Sequence, residues 1–254
     1  MQDALIRKLE SFQELTNEDR GALNALVPRF RNVGPHIDLI REGEPPNDIH
    51  LILDGYACRY KVLPNGQRQI MAYMVPGDFC DLNVFILDQM DHNIGTITAC
   101  QVVDIPRYAI EAVMVDRTSI TQAVWRCALV DEAILREWLV NIGGRPANQR
   151  IGHLMCELLL RLEAVGGVQN NSYSFPFTQA DIADTMGLSN VHVNRTLQEL
   201  RAMELIELKR RVLTILDVER LKAYCGFNPN YLHLKNSRWS TGRSVPWLSS
   251  SSGG

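Results

Sequence analysis

The chain has 254 residues, 46% hydrophobic and 22% charged, with 17 Gly and 11 Pro. That composition is ordinary for a globular protein and excludes collagen-like, purely coiled-coil and wholly disordered chains. The net charge of −3 conceals an asymmetry, since residues 1–144 carry 13 Lys and Arg against 20 Asp and Glu, residues 145–234 carry 10 against 9, and residues 235–254 carry 3 against none. An acidic front and a mildly basic back predict two different jobs. No stretch approaches the roughly 18 uncharged apolar residues of a membrane span. The start, MQDALIRKLESFQELTNEDR, lacks the apolar block of a signal peptide, so a cytoplasmic protein with no membrane partner is expected. The cysteines Cys58, Cys80, Cys100, Cys127, Cys156 and Cys225 form no C-x-x-C pair and no cluster with His. Reduced core thiols are therefore expected, not a metal site or a disulfide framework.

Residues 2–29 predict short helices, with Leu5, Leu9 and Phe12 on one face and Leu23, Leu26 and Val27 on another. From about residue 35 to 106, short apolar runs alternate with turn signals: IDLI, GEPPND, IHLILDG, YACRYKVL, PNGQ, RQIMAYMV, PGD, GTITA and QVVDI. This texture predicts an antiparallel barrel or jelly roll, with a hairpin at Pro64-Asn65-Gly66. Residues 117–142 then predict one helix of about seven turns. Ile120, Val124, Cys127, Ile134 and Trp138 recur along one stripe, which also takes in Asp131. Trp138 and Ile142 are expected to lie beyond the reach of a small barrel, which favours a dimer spine over a lone core helix. Gly143-Gly144-Arg145-Pro146 predicts a break and a hinge. An amphipathic helix over 147–165 follows, ended by Gly166-Gly167. Residues 235–254, rich in Ser and Gly, predict a flexible tail.

Residues 178–200, TQADIADTMGLSNVHVNRTLQEL, carry the function. Thr178-x-x-Asp181 is a capping box at a helix start. Ile182, Ala183 and Met186 face inward, Gly187 allows a sharp turn, and Ser189 caps the next helix through Val193, Leu197 and Leu200. This is a helix-turn-helix pattern. In LIELKRRVLTILD, the runs Leu205–Leu208 and Val212–Leu216 flank Lys209-Arg210-Arg211, which reads as a β wing with a cationic tip for phosphates. The second helix leaves Asn190, Val191, Asn194, Arg195 and Gln198 outward, with His192 intermediate, for the base edges of a major groove. Arg195 is the foremost base-contact candidate, with a phosphate clamp as its alternative role. Thr178 and Ser189 are placed toward phosphate, and Gln179 is a further DNA-binding candidate.

The layout resembles the Crp/Fnr family of bacterial transcription regulators over about residues 5–234. The stretches that carry the likeness are GEPPNDIHLILDGYACRYKVLPNGQRQI, MVPGDFCDL and TQADIADTMGLSNVHVNRTLQELRAMELI. The resemblance implies an α+β chain in the following order. An N-terminal antiparallel β-roll (jelly-roll-like) sensor domain covers 1–116 and a dimerisation helix 117–142. A hinge covers 143–146, a winged helix-turn-helix domain 147–234, and the tail 235–254. It implies a homodimer on palindromic double-stranded DNA, an unidentified small-molecule effector or redox signal in the roll, and RNA polymerase as a further partner.

The departures from that family matter. Members that bind cyclic AMP carry a Gly-Glu pair after GDF and later an Arg-Ser/Thr pair for the phosphate. Here GDF is followed by Cys80-Asp81-Leu82-Asn83 and the later position reads Asp91-His92-Asn93. Counted back from Arg150, the spine position where such members place hydroxyls falls at Leu135-Arg136. Cys80, Asp81, Leu82, His92, Asn93, Leu135 and Arg136 are the expected lining of an effector pocket, but cyclic AMP is not its expected ligand. No cysteine precedes Cys58 to hold an iron–sulfur cluster, and Leu82 stands where haem-binding members place His. No cofactor or metal is expected. The chain has no G-x-S-x-G, P-loop or H-E-x-x-H motif, so a non-enzyme is expected. The alternative to a DNA regulator is a small-molecule-binding module that does not regulate DNA.

Overall fold

The computed structural model describes residues 3–82 and 88–235. The predicted tail, from residue 236 on, lies outside the described residues, and so does Asn83. The chain opens with α1 (Asp3–Glu10) and α2 (Asn17–Ala25). A capping box starts α2: the Thr16 hydroxyl accepts from Asp19 N and the Asp19 carboxylate accepts from Thr16 N. Leu5, Leu9, Phe12, Leu23, Leu26 and Val27 are buried.

Seven strands follow: β1 (Arg31–Val33), β2 (Asp38–Ile40), β3 (Asp48–Asp54), β4 (Ala57–Val62), β5 (Arg68–Met74), β6 (Asn93–Thr96) and β7 (Cys100–Pro106). They form two antiparallel sheets in the orders β1-β7-β3 and β2-β6-β4-β5. The Asn65-Gly66 turn joins β4 to β5, with Gly66 at φ +82°. Between the sheets pack Ile49, Leu51, Ile52, Ile70, Ile94, Val102 and Ile105, all fully buried. Gly77 makes room for α1: at φ +91°, a Cβ there would lie 2.7 Å from the Ala4 carbonyl oxygen.

A short helix α3 (Arg107–Asp116), not expected from the sequence, leads into α4 (Thr118–Gly144). Gly143 and Gly144 continue α4 as helix, and the chain turns at Arg145 and Pro146, where the missing proline N–H stops it. Ile120, Val124, Cys127, Ile134 and Trp138 are buried along one side of α4. The expectation that Trp138 lies beyond the reach of the barrel is corrected. Its ring meets Tyr73 of β5 edge-on with centroids 5.8 Å apart, and its Nε1 donates to Glu157 at 2.9 Å.

Glu157 lies on α5 (Ala147–Ala164), whose residues Ile151 to Leu162 are all buried, so this helix is the centre of the second domain. Around it are β8 (Ser172–Ser174), α6 (Gln179–Met186), α7 (Asn190–Ala202), β9 (Ile206–Lys209), β10 (Val212–Ile215), α8 (Val218–Cys225) and a 3-10 turn at Pro229–Leu232. The three strands form one antiparallel sheet, β8-β10-β9. All six cysteines are buried and free.

A buried ionic knot joins the domains. Asp78 accepts from Val75 N at 2.9 Å and pairs with Lys8 of α1 and Arg161 of α5, each at 2.7 Å. Arg161 also donates to the Tyr73 carbonyl at 2.7 Å and pairs with Glu157 at 3.1 Å. Burial opposes ionisation of Asp78, but Lys8 and Arg161 outweigh it and hold the carboxyl at about 2. Because the folded value lies below the ordinary 3.8, this stabilisation is complete above about pH 4 and is lost as pH falls through about 2. Asp78→Asn is expected to lower stability at pH 7 by about 3 kcal/mol, since it leaves two buried cations short of a partner. Denaturant titrations of both proteins should find that gap narrowing between pH 4 and 2, and a gap independent of pH would contradict the account.

Candidate nucleic-acid interface

The α6–turn–α7 unit is built by local chemistry. Thr178 Oγ1 accepts from Asp181 N at 3.1 Å, while the Asp181 carboxylate accepts from Thr178 N at 2.9 Å and from its hydroxyl at 2.6 Å. Gly187 ends α6 at φ +62°, its N–H donating to the Ala183 carbonyl. Two residues later Ser189 Oγ accepts from His192 N at 3.3 Å and starts α7. Ile182, Ala183, Met186, Val193, Leu197 and Leu200 are buried between the helices and α5.

The outward side of α7 carries Asn190, Val191, His192, Asn194, Arg195 and Gln198, all exposed. Val191, Asn194, Arg195 and Gln198 stand at i, i+3, i+4 and i+7, which is a single stripe. The Arg195 Nε lies 3.6 Å from Glu199 at a surface position, a weak pair that leaves the guanidinium free to move to a stronger anion. Gln179, at the start of α6, is exposed as well. Thr178 is exposed, but its hydroxyl is committed to the capping box.

The wing is the β9–β10 hairpin. Its tip places Arg210 at φ +49° and Arg211 at φ +63°, the pair of left-handed residues that a tight two-residue hairpin requires. The Arg211 carbonyl accepts from Phe175 N at 2.8 Å, which fixes the tip against the segment after β8. Lys209 pairs with Glu207 at the surface, and all three cations are exposed.

Sequence reasoning missed how the roll grips this unit. Arg68 of β5 reaches Asp181 at 2.6 Å and Asp184 at 2.7 Å on α6. The Tyr73 hydroxyl lies 2.6 Å from Thr185 Oγ1, and the Tyr56 hydroxyl donates to the Ser174 carbonyl at 2.6 Å. No local pattern foretells these contacts, because Arg68 and Asp181 are 113 residues apart. The α7 stripe stays open to solvent, since the grip falls on α6.

Among the described residues, several of those expected to line an effector pocket are engaged by the chain itself. Cys80 is buried, and its carbonyl accepts from Arg59 Nε at 2.8 Å. Asp81 accepts from His50 N at 2.8 Å and lies 2.7 Å from His50 Nδ1; burial opposes protonation of that ring, but Asp81 outweighs it and raises the pKa. Leu82 is buried. His92 pairs with Asp91, the Asn93 amide donates to the Tyr60 carbonyl, and its Oδ1 accepts from Glu42 N. Leu135 and Arg136 lie on the exposed side of α4, whereas Asp131, Ile134 and Trp138 of that helix face the roll. Leu135 follows Ile134 directly and so points about 100° away from it around the axis.

Between roll and spine the chain places its own groups. Arg59 is paired with Asp131 at 2.9 Å beside a cavity of about 10 Å³, the room of one water. Among the described residues this space does not fit a cyclic nucleotide, because it lacks the volume. Among the described residues no group of three or more His, Cys, Asp or Glu could hold a metal ion, and no helix is long and apolar enough to cross a membrane.

A roll carrying a helix-turn-helix with an open polar stripe and a cationic wing defines a winged-helix regulator of the DNA-binding class. The Crp-like helix-turn-helix domain model matches residues 149–224, and the cyclic nucleotide-binding domain model matches residues 30–117. The chain belongs to the Crp/Fnr family of transcription regulators. The nitrogen fixation regulation protein FixK of Bradyrhizobium diazoefficiens is 28% identical over 173 residues, covering 68% of this chain and 71% of the relative. The transcriptional activatory protein AadR of Rhodopseudomonas palustris is 27% identical over 221 residues, 86% of this chain and 90% of that protein. The solved structure of FixK2 from Bradyrhizobium japonicum shares the fold with a TM-score of 0.68 at 20% identity, covering 77% of this chain and 96% of that one.

Neutralising Lys209, Arg210 and Arg211 together is expected to flatten the salt dependence of DNA binding by about three units of slope per protomer. Affinity measured across a salt series checks this. An unchanged slope would remove the wing from the interface.

Proposed function

We propose that the protein is a sequence-specific transcription regulator that binds palindromic double-stranded DNA as a homodimer. The carrying observation is the single open stripe of Val191, Asn194, Arg195 and Gln198 on α7 beside the exposed cations of the wing. Such a helix enters the major groove by its N-terminal turns while the wing meets phosphate.

The dimer rests on α4. Its side away from the roll exposes Trp125 at 59%, Leu129 at 55% and Leu139 at 74%, with Val140 and Leu135 beside them. Trp125, Leu129, Glu132, Arg136 and Leu139 alternate by four and three residues, the spacing of a two-helix seam. Two spines packed along this seam present two copies of α7 to one duplex. The roll is the sensing element in this reading, and its state reaches the reader through Arg68 and Arg161.

Selection from random DNA with the full chain should recover a palindrome whose half-sites are centred about one helical turn apart. Recovery of asymmetric or unselected DNA would overturn the proposal. Arg195→Ala is expected to weaken binding to the selected site by about 1–3 kcal/mol and to relax one base position. An equal loss on all DNA would assign Arg195 to phosphate. Leu129→Lys with Leu139→Lys should give a folded monomer by sedimentation, with a loss of binding to the full palindrome.

A further inference from the structure

We propose that Val191 reads the C5-methyl group of a thymine, so that each operator half-site carries one thymine whose methyl strengthens binding. The inference deepens the DNA-binding reading above and rests on it.

Val191 is 79% exposed in the first turn of α7. Nothing in helix physics asks for a valine there. A β-branched residue is a poor helix former, and the first turn favours acidic side chains that complement the helix dipole. The first turn of α7 holds no acid at all. The residue is also not a staple to its own domain, whose core on this helix is Val193, Leu197 and Leu200. It stands instead in the outward stripe, one turn before Asn194 and Arg195.

The major groove offers hydrogen-bonding atoms at every base and one apolar group, the thymine methyl. Asn194 and Arg195 have the donors and acceptors for adenine and guanine edges, and Val191 has none. Its two methyl groups can gain only by covering another apolar group. The absence of a carboxylate from the first turn also removes the acceptor for a cytosine amino group at that position.

The test begins with the palindrome selected from random DNA. In that site each thymine is replaced, one position per half-site at a time, by deoxyuridine, which lacks only the methyl. Binding of the full chain should weaken about fourfold per half-site at one position, the equivalent of one buried methyl group, and by little elsewhere. Val191→Ala should bind the thymine site about as weakly as the native chain binds the uracil site, and should not distinguish the two. Val191 is exposed, so folding of this variant is not at issue. At the same position 5-methylcytosine should bind better than cytosine, and V191E should shift the selected base toward cytosine. If the native chain and Val191→Ala respond alike to uracil at every position, Val191 is not a methyl reader, while the DNA-binding reading stands. If no site is selected at all, that reading falls and this inference with it.

Discussion

Arg161 is the point on which the arrangement of the two domains depends. Its guanidinium is buried, and burial alone would drive off the charge; Asp78 and Glu157 hold it there instead. The three groups come from the turn after β5 and from α5, while Lys8 joins from α1. Glu157 in turn takes hydrogen bonds from Trp138 on α4 and Tyr231 beyond α8. Five separate parts of the chain therefore meet at one set of charges. A buried pair of this kind adds little net stability against an apolar core, but breaking it is expensive, so it selects one relative placement of roll and reader over others.

That placement explains the two-sided character of α4. One side is fixed by its own chain: Ile120, Cys127, Ile134 and Trp138 lie against roll and second domain, and Asp131 neutralises Arg59. The other side holds large apolar groups in water, which a monomer has no reason to keep. The same helix thus ties the roll to the reader and offers a seam to a second copy. The Arg59–Asp131 pair ties this helix to the roll beside the small cavity between them.

What was legible in the sequence was what short-range chemistry dictates. The Thr178 box, the left-handed Gly187 and the Ser189 cap each act within three or four residues, and reading them in order yields the α6–α7 unit with its buried and open sides. The alternation that gives β3, β4, β5 and β7 is equally local. The short β1 and β8 carry three residues each and no clear period, and they exist because β7 and β10 offer them an edge. Arg68 with Asp181, Arg59 with Asp131, and Trp138 with Glu157 join residues far apart in the chain. Nothing near Trp138 says that α5 will cover it. The exposure of Leu135 and Arg136 was hidden for a related reason: a count along the chain fixes position but not the angle around a helix.

The wing tip stores energy in its backbone. An L residue in the left-handed region is strained by roughly 1–2 kcal/mol, and here two arginines in succession adopt it where Asn-Gly would relax the hairpin. A more restful tip would also be a neutral one. The tip thus trades backbone rest for two exposed cations, a stability cost placed where the charge is presented.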